Sequence, residues 1–219
     1  MTIQCESKSA CSCSKVAHEA KFVVITGGPG GGKTAVLEIA RKNFCEHISI
    51  LPEAASIVFG GGFPRGDSLE ARKASQRAIF HIQHELEQLV LEEKKAAVVL
   101  CDRGTLDGLA YWVGDEDSFW KEVGSTKEQE LKRYAAVIHM RTPPLEQGYN
   151  NQNPVRIENA IQAAEIDRKI EEVWKDHPHK YFVSSENEFL EKVEAAVKII
   201  KEHLPECCRG HIIKELNKP

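Results

Sequence analysis

A short apolar run, Phe22-Val23-Val24-Ile25, passes through Thr26 into Gly27-Gly28-Pro29-Gly30-Gly31-Gly32-Lys33-Thr34, and Ala35-Val36-Leu37-Glu38-Ile39-Ala40 follows with helical character. No other stretch constrains the fold as much. Strand, glycine-rich loop and helix in that order supply the setting that the pattern G-x-x-x-x-G-K-[ST] requires. The glycines let successive backbone N–H groups turn inward around phosphate oxygens, and the positive end of the following helix points at them. Lys33 has the reach for the β- and γ-phosphates, and the Thr34 hydroxyl can ligate Mg²⁺. The expected ligand is therefore a nucleoside triphosphate, ATP or GTP, held by residues 27–34 with Mg²⁺.

The rest of the chain alternates between two periodicities. Largely apolar runs recur at Ile48–Leu51, 96–101, 135–140 and 181–184, similar to residues 22–25 and to strands buried on both faces of a parallel sheet. Between them lie helical patterns. Residues 68–94 place Ile79, Ile82, Leu86, Leu89 and Val90 on one stripe, and residues 186–203 repeat the spacing with Leu190, Val193, Val197 and Ile200. Residues 158–175 carry Ile161, Ala164, Ile170 and Trp174 before His177-Pro178 stops the pattern. Strands alternating with helices make βαβ units. The expected fold is α/β, a P-loop domain with a five-stranded parallel sheet and helices on both faces. The domain is expected over residues 21–204, after a Cys- and Ser-rich arm at 1–20 and before a polar tail at 205–219.

A chain of 219 residues with 42% hydrophobic and 28% charged residues can bury a full core without staples. It is neither disordered nor collagen-like in composition. The apolar run at 96–101 falls far short of the roughly 20 residues a membrane-spanning helix needs. Twenty-nine basic against 33 acidic side chains, a formal charge of -4, suggest no strong basic face, so no nucleic-acid partner is expected, though a local basic patch stays open. The first residues are polar and lack a secretory core, so the seven cysteines are expected in a reducing cytoplasm. Cys5, Cys11 and Cys13 lack a C-x-x-C pair, and we read them as free thiols in the arm rather than metal ligands. His81 and His84 are expected on the surface of the long helix. Gly114-Asp115-Glu116-Asp117 reads as a solvated loop, and Trp112, Trp120 and Trp174 as packing residues.

Candidate chemistry clusters after the strands. Val98-Val99-Leu100-Cys101-Asp102 ends an apolar run on an acid. A P-loop creates a demand for that carboxylate as the second holder of Mg²⁺, opposite Thr34, although Asp also caps helices. Glu53, just past the second run, can accept or orient an acceptor hydroxyl's proton, or can sit at the positive end of a helix over residues 54–59. Arg141 and Arg156 bracket a Pro- and Asn-rich stretch at 141–157, which suits a lid closing over a transferring phosphoryl group. The loop 60–67, with Arg65, is a second candidate cover.

Ile25 to Thr34, then Pro52-Glu53-Ala54-Ala55, then Asp102-Arg103-Gly104 with Asp107 and Tyr111 resemble one known family. It is the AAA-type ATPase/kinase family that includes the nicotinamide riboside kinase domain of bacterial NAD-biosynthesis regulators, and eukaryotic GTP-binding, phosphoinositide-binding trafficking proteins. Asn153-Pro154-Val155-Arg156-Ile157-Glu158, with Ala163, Asp167, Trp174 and His177-Pro178, resembles the family's lid and following helix, so the likeness spans residues 22–203. The resemblance implies a nucleoside/nucleotide-kinase-like arrangement with the phosphate-loop strand beside the Asp102 strand. It implies catalytic roles for Lys33, Glu53, Asp102, Arg103, Arg141 and Arg156, and acceptor contacts from Glu53, Arg103, Asp107 and Tyr111. Motor-type AAA+ proteins place a catalytic Glu directly after the strand-end Asp. Here Arg103 follows, as in the Asp-Arg pair of many nucleoside kinases, where the Arg grips phosphate. The activity so implied is phosphoryl transfer to a hydroxyl of a small, nucleoside-like acceptor. The alternative is a regulatory NTP-binding module with a protein or phosphoinositide partner. An N-K-x-D guanine-reading motif is absent from the sequence.

Overall fold

Alternating apolar residues on five strands dictate two buried faces, and the chain builds both. The computed structural model describes residues 18–142, 160–184 and 189–209. Its strands are β1 (Lys21–Thr26), β2 (Ile48–Leu51), β3 (Val98–Asp102), β4 (Tyr134–Met140) and β5 (Lys180–Val183), all parallel, in the order β2-β3-β1-β4-β5. The phosphate-loop strand thus lies between the Asp102 strand and β4. On one face, Val23, Ile25, Leu100, Ile138 and Met140 pack against α1 (Lys33–Asn43) and α8 (Phe189–Glu202). On the other, Val24, Val99, Cys101 and Val137 meet α3 (Leu69–Glu93), α5 (Glu116–Val123) and α7 (Ala160–Val173). Short helices complete the described residues: α2 (Ala54–Gly60), α4 (Asp107–Tyr111), α6 (Lys127–Lys132) and α9 (Glu206–Arg209).

Where sequence and structure part, a polar group explains the difference. The buried face of α3 runs through Phe80, Gln83, Glu87 and Val90, whereas Leu89 of the expected stripe is 54% exposed. Glu87 is tolerated there because Gln83, Arg133 and the Tyr134 hydroxyl all donate to its carboxylate. His84 is half-buried rather than on the surface, with Nε2 3.0 Å from Glu130. Asp115 is an N-cap that accepts from the Ser118 amide, so Glu116 and Asp117 open α5 instead of lying in a loop. Past residue 204, the expected end of the domain, the chain still packs on the core. Cys208, in α9, is 1% exposed and joins the core formed by Phe44, Val197 and Leu204. Among the described residues, no helix is long and apolar enough to cross a membrane.

Parallel register carries the site. Ile25 pairs with Asp102 and Leu51 with Cys101, so β1, β2 and β3 end together and deliver Gly27, Glu53 and Arg103 to one edge. In open α/β sheets that carboxyl edge is where ligands sit.

Candidate active site

The glycine-rich loop leaves β1 across the end of β4. Gly27 has φ +123°, and a Cβ there would run into the Met140 carbonyl oxygen, so both conformation and space require glycine. Gly32, at φ 95°, caps α1, and the Ala35 amide donates to its carbonyl at 3.1 Å. Gly28, Pro29, Gly30 and Gly31 lie between, closed by a Gly31 amide to Gly28 carbonyl bond of 3.3 Å.

Lys33 folds back onto this loop. Its Nζ donates to the Gly27 carbonyl at 2.8 Å and the Gly28 carbonyl at 2.9 Å. Burial, and then the Arg103 guanidinium, lower its pKa to about 7 against the pull of Asp102, Glu53 and Asp107. An anion arriving in this desolvated cleft would favour the charged form of Lys33.

Arg103 sits at the hub. Its backbone takes φ 75°, unusual for a residue with a side chain, while its amide still donates to the Ile25 carbonyl at 3.1 Å. From that position Nε donates to Glu53 Oε1 at 2.8 Å, and Nη1 reaches both the Gly27 carbonyl and Asp107 Oδ1 at 3.3 Å. Its guanidinium also lies 5.8 Å from the Tyr111 ring centroid. Burial opposes the charge, yet Tyr111, Glu53 and Asp107 raise its pKa well above the ordinary value. Burial likewise pushes the Glu53 carboxyl upward, but Arg103 and a hydrogen bond from Ser56 outweigh it and leave the pKa lowered.

Asp102 ends β3 with its carboxylate largely buried. Burial raises its pKa, aided by Glu53 and Asp107 and opposed by Lys33 and Arg103. Its Oδ1 is buried with no hydrogen-bond partner. An orphaned, desolvated carboxylate oxygen beside a phosphate loop fits a hydrated Mg²⁺, and Thr34, exposed at the start of α1, would be the second holder.

Asp107, expected on the acceptor side, is 3% exposed, and its carboxylate accepts from Thr26 Oγ1, the Gly104 amide, Trp174 Nε1 and Arg103. It positions Arg103 and closes the turn after β3. Arg141 pairs with Glu171 of α7, Nη2 at 2.9 Å, and its guanidinium lies 4.7 Å from the Phe182 ring centroid. Arg156 and the expected lid beyond residue 142 lie outside the described residues. Arg65 is exposed and packs over Phe59.

One further contributor to the loop comes from α7. Asp167, on α7, accepts the Gly28 amide at 2.7 Å and contacts His139 Nε2 at 3.0 Å, while the Thr142 hydroxyl donates to the Pro29 carbonyl at 3.1 Å. Burial raises the Asp167 pKa, and His139 with the Gly28 and Thr142 amides brings it below the usual carboxylate range. Its sequence signal was an acid in register with Ala163, Ile170 and Trp174, all buried on one helix face.

A central parallel strand running into a glycine-rich loop and helix, with an acid ending the neighbouring strand, defines a P-loop α/β protein of kinase-like arrangement. An AAA-domain family model matches residues 22–192, and the chain belongs to that family. Among solved structures it is similar to NadR protein in complex with NR (15% identity, TM-score 0.65), covering 92% of this chain and 55% of that one. The chain therefore spans little more than half the length of that relative. It is also similar to deoxyadenosine kinase from M. mycoides with products dCMP and dCDP bound (14% identity, TM-score 0.53), covering 83% of this chain and 99% of that one. At these identities the likeness is one of fold. No curated protein sequence matches the chain.

Proposed function

We propose that this protein transfers the γ-phosphoryl group of ATP or GTP to a hydroxyl of a small, nucleoside-like acceptor. The observation that carries the reading is Arg103, which touches the phosphate loop at Gly27 and grips the Glu53 carboxylate with the same guanidinium. It thereby joins a donor side to an acceptor side across the ends of β1, β2 and β3. The fold shared with the two solved relatives, one in complex with NR and the other with the products dCMP and dCDP bound, supports a nucleoside-like acceptor.

In this reading, residues 27–34 receive the triphosphate, and Lys33 leaves the Gly27 and Gly28 carbonyls for the β- and γ-phosphates. Bound Mg²⁺, held through Thr34 and Asp102, would neutralise charge on the phosphate oxygens. Arg103 meets the charge that spreads over the equatorial oxygens of the transferring group. Glu53, held ionised by Arg103, accepts a hydrogen bond from the acceptor hydroxyl and aligns it. A lowered pKa makes Glu53 a weak general base, which suits a loose transition state needing little early proton removal. Tyr111 borders the acceptor side beside Arg103, and Asp107 fixes the Arg103 turn.

Labelled ATP or GTP with Mg²⁺ and a panel of nucleosides and related alcohols tests the proposal. Acceptor-dependent labelled product supports transfer. Tight nucleotide binding with slow hydrolysis and no labelled product across the panel would instead mark a regulatory module.

A further inference from the structure

At the amino-terminal edge of the sheet, opposite the phosphate loop, three side chains from distant parts of the sequence converge. Cys45 follows α1, His47 leads into β2, and Cys208 lies in α9. All three are buried, at 8%, 5% and 1% exposure. Both sulfurs approach the same ring nitrogen: Cys45 Sγ lies 3.8 Å and Cys208 Sγ 3.7 Å from His47 Nδ1. The three atoms all fall within 4.8 Å of one another.

His47 Nδ1 faces both sulfurs at once, the disposition of three ligands around one cation. A cation between them serves all three atoms. With Zn–S near 2.3 Å and Zn–N near 2.05 Å at a tetrahedral angle, sulfur and nitrogen ligands stand about 3.6 Å apart. The two sulfur–nitrogen separations, 3.8 and 3.7 Å, lie close to that spacing. Two sulfurs and one imidazole are a borderline-soft donor set, which favours Zn²⁺ over Mg²⁺ or Ca²⁺. The site is also anchored. The His47 carbonyl accepts the Ala97 and Val98 amides at 2.7 and 3.2 Å, and Phe44 and Leu204 pack in the same core.

We propose that Cys45, His47 and Cys208 bind one Zn²⁺, which fastens α9 to the turn between α1 and β2. Binding converts both thiols to thiolates and releases their two protons to solvent. The fourth position is left to water or one further ligand. The site is remote from the proposed transfer chemistry and independent of it.

The test uses the full chain, purified under reducing conditions, reconstituted with Zn²⁺ and freed of excess metal. The expected result is one Zn²⁺ per chain by elemental analysis. With Co²⁺ in its place, sulfur-to-cobalt charge-transfer absorption should appear. Cys208→Ser, which exchanges the sulfur for oxygen and keeps the side chain's shape, should lose both signals while keeping its circular dichroism and nucleotide affinity. A Cys5→Ser/Cys11→Ser/Cys13→Ser variant should keep both signals. Saturating Zn²⁺ should raise the midpoint of thermal unfolding by about 5 °C or more, a shift absent from Cys208→Ser. Less than a tenth of an equivalent of metal, retention of metal by Cys208→Ser, or loss of metal from the amino-terminal triple variant would each overturn the proposal. So would a Cys45–Cys208 disulfide in the reduced, zinc-supplied chain.

Discussion

Glu53 and Arg103 lie fifty residues apart in sequence and meet at 2.8 Å, because β2 and β3 run parallel in a register that ends both at the same edge. The same guanidinium reaches Gly27. Neither side chain can therefore be changed without altering the seam between the two sides of the cleft.

Glu53→Gln removes the carboxylate and keeps the shape. Acceptor-dependent kcat should fall by about 10²-fold or more, with the nucleotide dissociation constant changed by less than about threefold. Arg103→Lys should do similar damage, because an ammonium cannot span Glu53, Asp107 and Gly27 together. Steady-state kinetics beside direct nucleotide titration separates the effects. An unchanged kcat in Glu53→Gln would remove Glu53 from the acceptor side.

Lys33 predicts a proton. With its pKa lowered to about 7, it is mostly neutral at pH 8 in the free protein. Phosphate restores its charge, so nucleotide binding at pH 8 should take up close to one proton, and binding at pH 6 very little. Calorimetry in buffers of different ionisation enthalpy reads this directly. Equal apparent enthalpies at pH 8 would contradict it. Lys33→Ala should abolish measurable nucleotide binding.

Asp102 carries an electrostatic penalty in the free protein. A carboxyl whose pKa is raised by folding loses stability as pH rises through and above the ordinary carboxylate range, because the native state then holds its charge less well than the unfolded chain does. Asp102→Asn should therefore be at least as stable as the parent at pH 8 without Mg²⁺, by denaturant midpoint. The same substitution should remove the Mg²⁺ dependence of nucleotide affinity. A clear drop in stability would show that the carboxylate has a structural partner.

Asp107→Asn replaces an acceptor serving Thr26, Gly104, Trp174 and Arg103 with a group that is half donor. Leaving one or two of these buried donors unsatisfied should cost about 1–3 kcal/mol each in urea unfolding. Transfer activity should fall as well, because Arg103 loses its second carboxylate.

Much of this architecture is written in local pattern. All five strands lie where apolar runs stand, because strands buried on two faces need no polar alternation. The phosphate loop and Asp102 are legible for the same reason, since their chemistry is tied to strand ends. What escapes is polar burial. Counting only apolar residues assigns α7 a face containing Ile161, which is 69% exposed, while the buried face carries Asp167. Glu87 and Glu130 are buried because Arg133, Tyr134, His84 and Thr105 come from other elements to meet them. The Cys45–His47–Cys208 cluster needs a carboxyl-terminal helix to fold back across the whole domain, which no spacing rule announces. The burial of Asp107 is hidden for the same reason: its partners Thr26 and Trp174 come from β1 and from beyond α7.

The Asp167 carboxylate holding the Gly28 amide has a kinetic meaning. A glycine-rich loop free to wander would have to find its phosphate-binding shape anew at each encounter, and association would be slowed by that search. Here the shape is set when α7 docks, and His139 and Thr142 keep it set. Nucleotide should then arrive at a rate governed by diffusion and charge, so that differences in affinity among nucleotides are expressed in how long each one stays.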